Sequence, residues 1–326
     1  MKDVGLVGVP YAGKSTLFTA ITRVGAAGGR ANQAVVPVPD PRLGVLTEME
    51  RSAKTVAAQV RFVDVPGGTS SAQAIAALRE ADALGFVLRC FGMDASPGGE
   101  LATLRTALLL ADLEVVDSAL HKAEKRAKGK VTDEIAVLRG AHETLSAETP
   151  LREAGLPPEH LAELRGIAPL TLKPQVVIAN LEEGIEVPEA LRAEAAVGVY
   201  ASIEAETAEM DPDEARALLE EFGVTKPGLE GVIAACYRAL DLITFLTTGE
   251  DETRAWEVRR GATAPEAAGV IHTDLQRGFI RAEVVAYEEL VAAGSMEQAK
   301  AAGHVRVEGK DYVVREGDVL HVRFAV

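Results

Sequence analysis

The chain has 326 residues, enough for two or three domains, and 48% of them are hydrophobic while only 4% are aromatic. Its 34 basic and 49 acidic residues give a formal net charge of −15. That balance excludes broad charge-driven nucleic-acid binding, DNA included, and leaves room only for a local basic patch. The two cysteines, Cys90 and Cys236, exclude a disulfide framework and suit a reducing cytoplasm. No apolar run approaches the ~20 residues needed to span a bilayer, and the N-terminus shows no positive segment ahead of a long apolar one. A cytoplasmic protein without membrane contact is the expectation.

"DVGLVGVP" (3–10) has the pattern of a short apolar strand ending in a Gly-rich turn, and "KSTLFTAIT" follows with helical spacing that puts Leu17, Phe18 and Ile21 on one side. An irregular Gly/Pro stretch and a short helix near 42–51 lead to "AAQVRFVDVPGG", where Val60, Phe62 and Asp64 share one face of a strand that ends at a turn. Residues 71–82 are predicted helix and 83–91 a buried strand. Strands alternating with helices predict a parallel α/β sheet. From 100 to 169 the chain is almost entirely helix former, with apolar residues at three- and four-residue spacing, which predicts a helical arm inserted into the α/β unit. The unit resumes with predicted strands at 172–184 and 195–206 and helices near 211–222 and 228–240. From 241 to 326 short alternating strands with Gly/Asp turns surround one or two helices, as in a compact α+β module. The predicted boundaries are therefore 1–99 with 170–240, then 100–169, then 241–326.

Gly8, Gly13, Lys14 and Ser15 fit G-x-x-x-x-G-K-[ST] at a strand-to-helix junction. The glycines let the backbone wrap closely round phosphates, so that the amides of Tyr11, Ala12, Gly13, Lys14, Ser15 and Thr16 point inward. The helix start adds the positive end of its dipole. Lys14 supplies a point charge, and the Ser15 hydroxyl is a ligand for Mg2+. Such a site needs a carboxylate at the end of a neighbouring strand; Asp64 meets this, and Gly67 completes D-x-x-G, whose glycine amide can sense a terminal phosphate. For the base, "VVIANLEEG" puts Asn180 at a strand end with Glu183 three residues on, where a guanine-specific N-K-x-D would have lysine and aspartate in the places of Leu181 and Glu183. Ser202 and Ile203 belong to the last loop near the base.

These residues resemble the YchF family of Obg-like ATPases, a translation-factor-related class of P-loop proteins. The resemblance covers most of the chain. It is most specific in "TLKPQVVIANLEE", "ALADLEVVDSALHKAEKRAKG", "RAWEVRRGATAPEAAGVIHTDLQRGFIRAEVVAYEEL" and "EGKDYVVREGDVLHVRF". It implies a fold of three parts: a P-loop NTPase domain with a parallel-rich sheet, an inserted helical, coiled-coil-like arm, and a C-terminal β-grasp (TGS) α+β domain. It also implies ATP preferred over GTP, mild hydrolysis and action on or near the ribosome or ribosomal RNA. Mg2+ is expected from Ser15 and Asp64, and a monomer is the expected state. Carried over by position, phosphate contacts fall on Tyr11 to Thr16, magnesium contacts on Ser15 and Asp64, and adenine contacts on Asn180 and Leu181.

The chain departs from the family in two places. No Ser or Thr lies between Thr22 and Thr47, so the threonine-bearing tract that precedes "VPVPDPRL" in the family is missing, and Ala31, Asn32 and Gln33 lead almost directly into Val35. Gly68 stands where the family carries a hydrophobic residue and other GTPases a glutamine, in a shortened segment. Phosphoryl transfer depends on positioning and charge stabilisation, so nucleotide binding is expected to persist with hydrolysis slow or lost. The alternative is a non-catalytic nucleotide-sensing adaptor. A small-molecule kinase finds no support, because no arginine-bearing lid is visible.

The tract from 122 to 130 carries Lys122, Lys125, Arg126, Lys128 and Lys130. It suits either a solvated arm tip or a contact for RNA phosphates. His272, Asp274 and Arg277 are expected to form a structural turn, and Trp256 to pack in a core. The histidines and cysteines give no zinc spacing.

Overall fold

The computed structural model describes residues 2–23, 33–65, 67, 69, 71–224 and 227–325. In chain order, β1 (Lys2–Val7), α1 (Lys14–Arg23), β2 (Gln33–Pro37), α2 (Pro41–Glu50), β3 (Thr55–Val56), β4 (Gln59–Asp64), α3 (Ala72–Glu80) and β5 (Ala83–Cys90) come first. Next are α4 (Pro97–Ala127), α5 (Asp133–Ser146), α6 (Pro158–Leu164), β6 (Gln175–Leu181), β7 (Val197–Val199), α7 (Ala201–Thr207), α8 (Pro212–Glu221) and α9 (Leu229–Ala239). The chain closes with β8 (Leu242–Thr247), β9 (Thr253–Arg259), α10 (Ala264–Ile271), α11 (Thr273–Arg277), β10 (Phe279–Ala286), α12 (Tyr287–Ala293), α13 (Met296–Ala301), β11 (Arg306–Glu308) and β12 (Asp318–Phe324). Two compact units result: Met1–Val36 with Arg61–Cys236, and Pro37–Val60 with Tyr237–Val326.

The first unit is built on a sheet of order β2-β4-β1-β5-β6-β7. β1 pairs parallel with β5, β5 with β6, and β6 with β7. Nearly every residue of β5 and β6 is buried, as expected of central parallel strands covered by helices on both faces. Leu84, Phe86 and Leu88 of β5 lie in one cluster with Val177 and Ala179 of β6. On α1, Leu17, Ala20 and Ile21 are fully buried and Phe18 nearly so, the face that the spacing predicts. The predicted strand at 195–206 is corrected: β7 ends at Val199 and Ala201–Thr207 is helical. The turn into that helix is fixed by the Glu204 carboxylate, which accepts from the Tyr200 amide at 2.9 Å.

The helix α4 runs 31 residues, about 46 Å at 1.5 Å per residue, and starts with Pro97 in its first turn, where the missing N–H costs nothing. Its first half packs Leu101, Leu104 and Leu108 into the sheet cluster. Its second half packs Val116 and Ala123 against Ile135, Leu138, Ala141 and Leu145 of α5. Because one continuous helix serves both cores, the 100–169 arm clusters with the sheet in the first unit.

Where the halves meet, Asp112 is buried. It accepts from Arg79 Nη1 (2.8 Å), the amides of Leu170 (2.9 Å) and Thr171 (2.7 Å), and Thr171 Oγ1 (2.8 Å). The same guanidinium donates to the carbonyls of Ala111 and Ala168. Lys173 Nζ donates to the Arg79 and Ala81 carbonyls, which caps the C-terminus of α3. The burial of Lys173 pushes its ammonium pKa down.

The second unit has a mixed sheet of order β11-β10-β12-β8-β9-β3. β8/β9, β10/β11 and β10/β12 are antiparallel, whereas β12/β8 and β3/β9 are parallel. Ala264, Ala267 and Ala268 of α10 lie fully buried with Phe245, Ala282 and Val284 of the sheet. Thr263 and Glu266 close a capping box at the start of α10. The predicted boundaries put 37–60 with the N-terminal segment. Instead these residues join the second unit, because β3 pairs with β9 and Ser52 Oγ bonds the Gly249 carbonyl (2.7 Å) and Thr253 Oγ1 (2.8 Å). His272, Asp274 and Arg277, expected in a turn, instead build the short helix α11, which His272 caps by accepting from the Asp274 amide while Arg277 pairs with Asp274. Trp256 is part-buried, donates to Thr247 Oγ1 at 2.9 Å, and carries the Arg254 guanidinium 4.0 Å from its ring centre.

Candidate functional site

In an α/β sheet, ligands bind beyond the carboxyl ends of the strands, and four such ends carry the candidate residues. After β1 the loop Gly8–Gly13 turns sharply into α1, with Ala12 N–H donating to Val9 O at 3.2 Å and Leu17 N–H to Gly13 O at 2.9 Å. Gly13 has φ +81, and Tyr11, itself 89% exposed, has φ 67. A non-glycine residue in that left-handed region is strained, and such strain gathers at functional loops. Gly8 serves close approach, since a Cβ there would come 2.7 Å from the Val87 carbonyl.

Residues 8–16 line a cavity of about 620 Å³ together with Asp64 and Gly67. Lys14 is ion-paired with Asp64, both side chains being mostly buried. The Ser15 hydroxyl donates to the other Asp64 oxygen at 3.2 Å. A hydroxyl and a carboxylate that converge from two elements are hard oxygen donors of the kind Mg2+ takes, with phosphate oxygens and water completing its shell. The residues present therefore fit a magnesium site. Among the described residues no cluster of three or more His, Cys, Asp or Glu could hold a metal. A P-loop site needs none, because the nucleotide supplies the remaining ligands.

Asn180, at the end of β6, is 5% exposed. Its Nδ2 donates to Ala12 O at 3.1 Å and its Oδ1 accepts from the Ala201 amide at 3.4 Å. One amide side chain thus staples the phosphate loop to the first turn of α7. Leu181 is buried against Gly198 and Val187, while Glu183 is partly exposed in the following turn. Ser202 lines a cleft with Ser15, Thr16 and Thr19. Ile203 is buried among Leu219 and Val224 and does not line that cleft. Ala31, Asn32 and Gly68, the positions of the two shortened tracts, lie outside the described residues; Gln33 opens β2.

Two residues near the site carry no motif. Phe91 follows β5 and brings Cε1 to 3.8 Å from where a Gly13 Cβ would stand; its aromatic character just past a buried strand was the available signal. Cys90 beside it has its thiol pushed up to about 12 by burial, with Glu100 adding to the shift, so it stays protonated and unreactive. A larger groove of about 880 Å³ between α3 and α4 is lined by Ile75, Ala107, Leu110 and Val115 together with the charged Arg79, Glu114, Lys122, Arg126 and Glu134, and shares no residue with the phosphate loop.

The five basic residues of 122–130 all lie on the surface near the end of α4. Arg126 is paired with Glu134 at 2.7 Å, and Glu124 is taken by Arg139 at 2.6 Å.

The relatives are consistent with this geometry. A family model described as "50S ribosome-binding GTPase" matches residues 3–130, and the YchF GTPase C-terminal model, described as "Protein of unknown function (DUF933)", matches 242–325. The chain is 41% identical to the "Ribosome-binding ATPase YchF" of Haemophilus influenzae over 99% of both chains. The chain belongs to the YchF family. The protein of the same name from Bacillus subtilis is 39% identical over 99% of each chain. The solved structure of the Schizosaccharomyces pombe YchF GTPase superposes with a TM-score of 0.89 at 26% identity, covering 99% of this chain and 97% of that one. The fold is that of a P-loop GTPase of this family. The match to the Haemophilus influenzae family member runs over 358 positions against 326 residues here, so at least 32 of those positions have no counterpart in this chain.

Proposed function

We propose that this protein is a magnesium-dependent nucleoside-triphosphate-binding protein that prefers ATP to GTP, hydrolyses it slowly and acts on or near the ribosome. One observation carries the reading: Lys14, Ser15 and Asp64 converge on a glycine-bounded cradle at the end of β1. The likeness to proteins named ribosome-binding ATPases over 99% of the chain supports it. In this reading the amides of Tyr11 and of Gly13 to Thr16 donate to the phosphate oxygens, while the Ala12 N–H stays on Val9 O. Lys14 exchanges its Asp64 partner for them, which frees Asp64 and Ser15 to hold Mg2+. When bound, that ion neutralises charge on the terminal phosphates; the chain supplies the orientation. Gly67, at φ +79, is the amide proposed to sense the terminal phosphate.

Asn180, Leu181, Glu183, Ser202 and Ile203 form the base side. Guanine discriminates itself by donating N1–H and N2–H to a short carboxylate. Adenine makes no such demand, and Glu183 and Leu181 replace the residues that would meet it. Slow turnover follows from the shortened tract without a hydroxyl between Thr22 and Thr47. The same absence favours the second reading, an adaptor that binds and does not hydrolyse. The mixed sheet with α10 packed upon it supports the β-grasp (TGS) assignment of the second unit.

The test is single-turnover hydrolysis of ATP and GTP with equilibrium binding on the same sample, beside Lys14→Ala. Wild type is expected to bind ATP at micromolar concentration, GTP more weakly, and to turn over slowly above the variant. Losing the charged partner should weaken binding by roughly 10- to 150-fold, the equivalent of about 1.5–3 kcal/mol. Tight ATP binding with no turnover above the variant selects the adaptor. Failure of wild type to bind either nucleotide refutes the proposal.

The basic arm end is proposed to contact RNA phosphates. Neutralising Lys125, Arg126 and Lys128 together should reduce co-sedimentation with ribosomes and flatten its salt dependence, by roughly 0.7–0.9 in slope for each phosphate that the arm no longer neutralises. Lys122 and Lys130 extend the same patch. Binding unchanged in amount and salt response would leave the patch a solvated tip.

A further inference from the structure

Glu204 lies one turn into α7, is 5% exposed, and belongs to no nucleotide-binding motif. Its carboxylate nevertheless accepts from three backbone amides on two separate segments. Oε1 takes Tyr200 N–H at 2.9 Å and Gly228 N–H at 2.8 Å, and Oε2 takes Leu229 N–H at 2.8 Å. Gly228 and Leu229 are the start of α9, where unpaired amides and the positive end of the helix dipole favour a negative partner. The contact is tight because residue 228 is a glycine. A Cβ there would land on the Gly198 carbonyl oxygen and come within 2.7 Å of Val199 Cα, so backbone packs directly on the end of β7.

The neighbouring amide is held from the opposite side. Glu204 fixes Tyr200 N–H, and Asn180 Oδ1 accepts from Ala201 N–H at 3.4 Å while its Nδ2 reaches Ala12 O in the phosphate loop. Tyr200 is further tied by its hydroxyl, which donates to Ile185 O at 2.9 Å. Successive amides of one turn are thus gripped by a buried carboxylate anchored to α9 and by an amide anchored to the phosphate loop. A turn pinned at both sides is pre-organised, and pre-organisation lowers the ordering cost of binding.

We infer that Glu204 is a positioning residue for the nucleoside half of the nucleotide, holding the Tyr200–Ile203 turn at the start of α7 in place against Asn180. This rests on the nucleotide-binding reading above. It separates two halves of the ligand: the polyphosphate is held by the loop before α1, and the nucleoside by a turn whose geometry depends on Glu204.

Glu204→Gln tests it. The substitution keeps shape and one acceptor oxygen but presents an N–H₂ to an amide N–H. Binding of Mg·ATP and of Mg·tripolyphosphate, which carries no nucleoside, is measured calorimetrically on wild type and variant. ATP affinity is expected to fall about tenfold, roughly 1.4 kcal/mol, while tripolyphosphate affinity stays within about twofold. Equal losses for both ligands, or no loss for either, would overturn the inference, because a generally loosened fold does not distinguish them. Wild type binding neither ligand would instead sink the nucleotide reading itself. Hydrogen exchange on wild type gives the same answer without a variant. ATP should slow exchange at Tyr200, Ala201, Gly228 and Leu229 and tripolyphosphate should not; identical protection by both overturns the positioning role.

Discussion

Replacing Gly13 by alanine is expected to abolish measurable nucleotide binding. Two costs coincide at this position. Gly13 has φ +81, where a Cβ meets the backbone and costs roughly 1–2 kcal/mol. That Cβ would also fall on Asn180 Nδ2, far inside van der Waals contact. Asn180 is 5% exposed and cannot swing into solvent, and its amide holds Ala12 O on one side and Ala201 N–H on the other. Relief of the clash therefore means opening either the phosphate loop or the start of α7 at Ala201. An affinity loss of more than about 100-fold, some 2.7 kcal/mol, is expected for both ATP and tripolyphosphate. That pattern differs from the nucleoside-only loss assigned to Glu204. Fluorescent-nucleotide titration on a variant whose circular dichroism matches wild type checks it. Retained affinity would mean that the amides of this turn do not face the ligand.

Much of the site is legible in the sequence because its constraints are local. A glycine pair at fixed spacing, a lysine and a hydroxyl at a helix start, and Val60 and Phe62 alternating towards Asp64 need nothing beyond neighbouring residues to be understood. The central strands β5 and β6 are equally plain, since burial on both faces leaves an unbroken apolar run. The long arm is plain because its apolar residues keep helical spacing over many turns.

What escapes the sequence is set by partners far along the chain. β3 is only two residues, Thr55 and Val56. It has no strand signal of its own and exists because β9 and Ser52–Thr253 hold it, 201 positions apart. The segment 195–206 mixes β-branched residues with good helix formers, and tertiary contacts decide where strand yields to helix. Glu204 and Asp112 look in isolation like solvent-facing charges on helices. For Asp112 a signal was present: it sits four residues from both Leu108 and Val116, on the buried stripe of α4. A carboxylate at a core position must have donors, and here they come from Arg79 and from residues 170–171.

Removing that carboxylate is expected to be the most destabilising single change in the first unit. In Asp112→Ala, Arg79, whose side chain is 15% exposed, loses its counter-charge while still gripping the Ala111 and Ala168 carbonyls. Breaking a buried pair by deleting one partner costs about 3–5 kcal/mol, which for a unit of this size corresponds to a Tm lowered by roughly 6–20 °C. Deleting Arg79 as well should recover only part of the loss. A pair of side chains can be exchanged for apolar ones, but the Leu170 and Thr171 amides belong to the backbone and would still lack an acceptor. Asp112→Asn should fall between, because it keeps one carbonyl oxygen for those amides and gives up the charge. Thermal unfolding of the single variants and of Arg79→Leu/Asp112→Leu orders them. If the double variant returned fully to wild-type stability, the ion pair alone, and not the amide cradle, would be what Asp112 provides. Because Arg79 and Lys173 both fasten the C-terminal end of α3, the helix that follows the Asp64–Gly67 segment, loss of this hub should also loosen α3. Faster amide exchange in α3 than in β5 would report that directly.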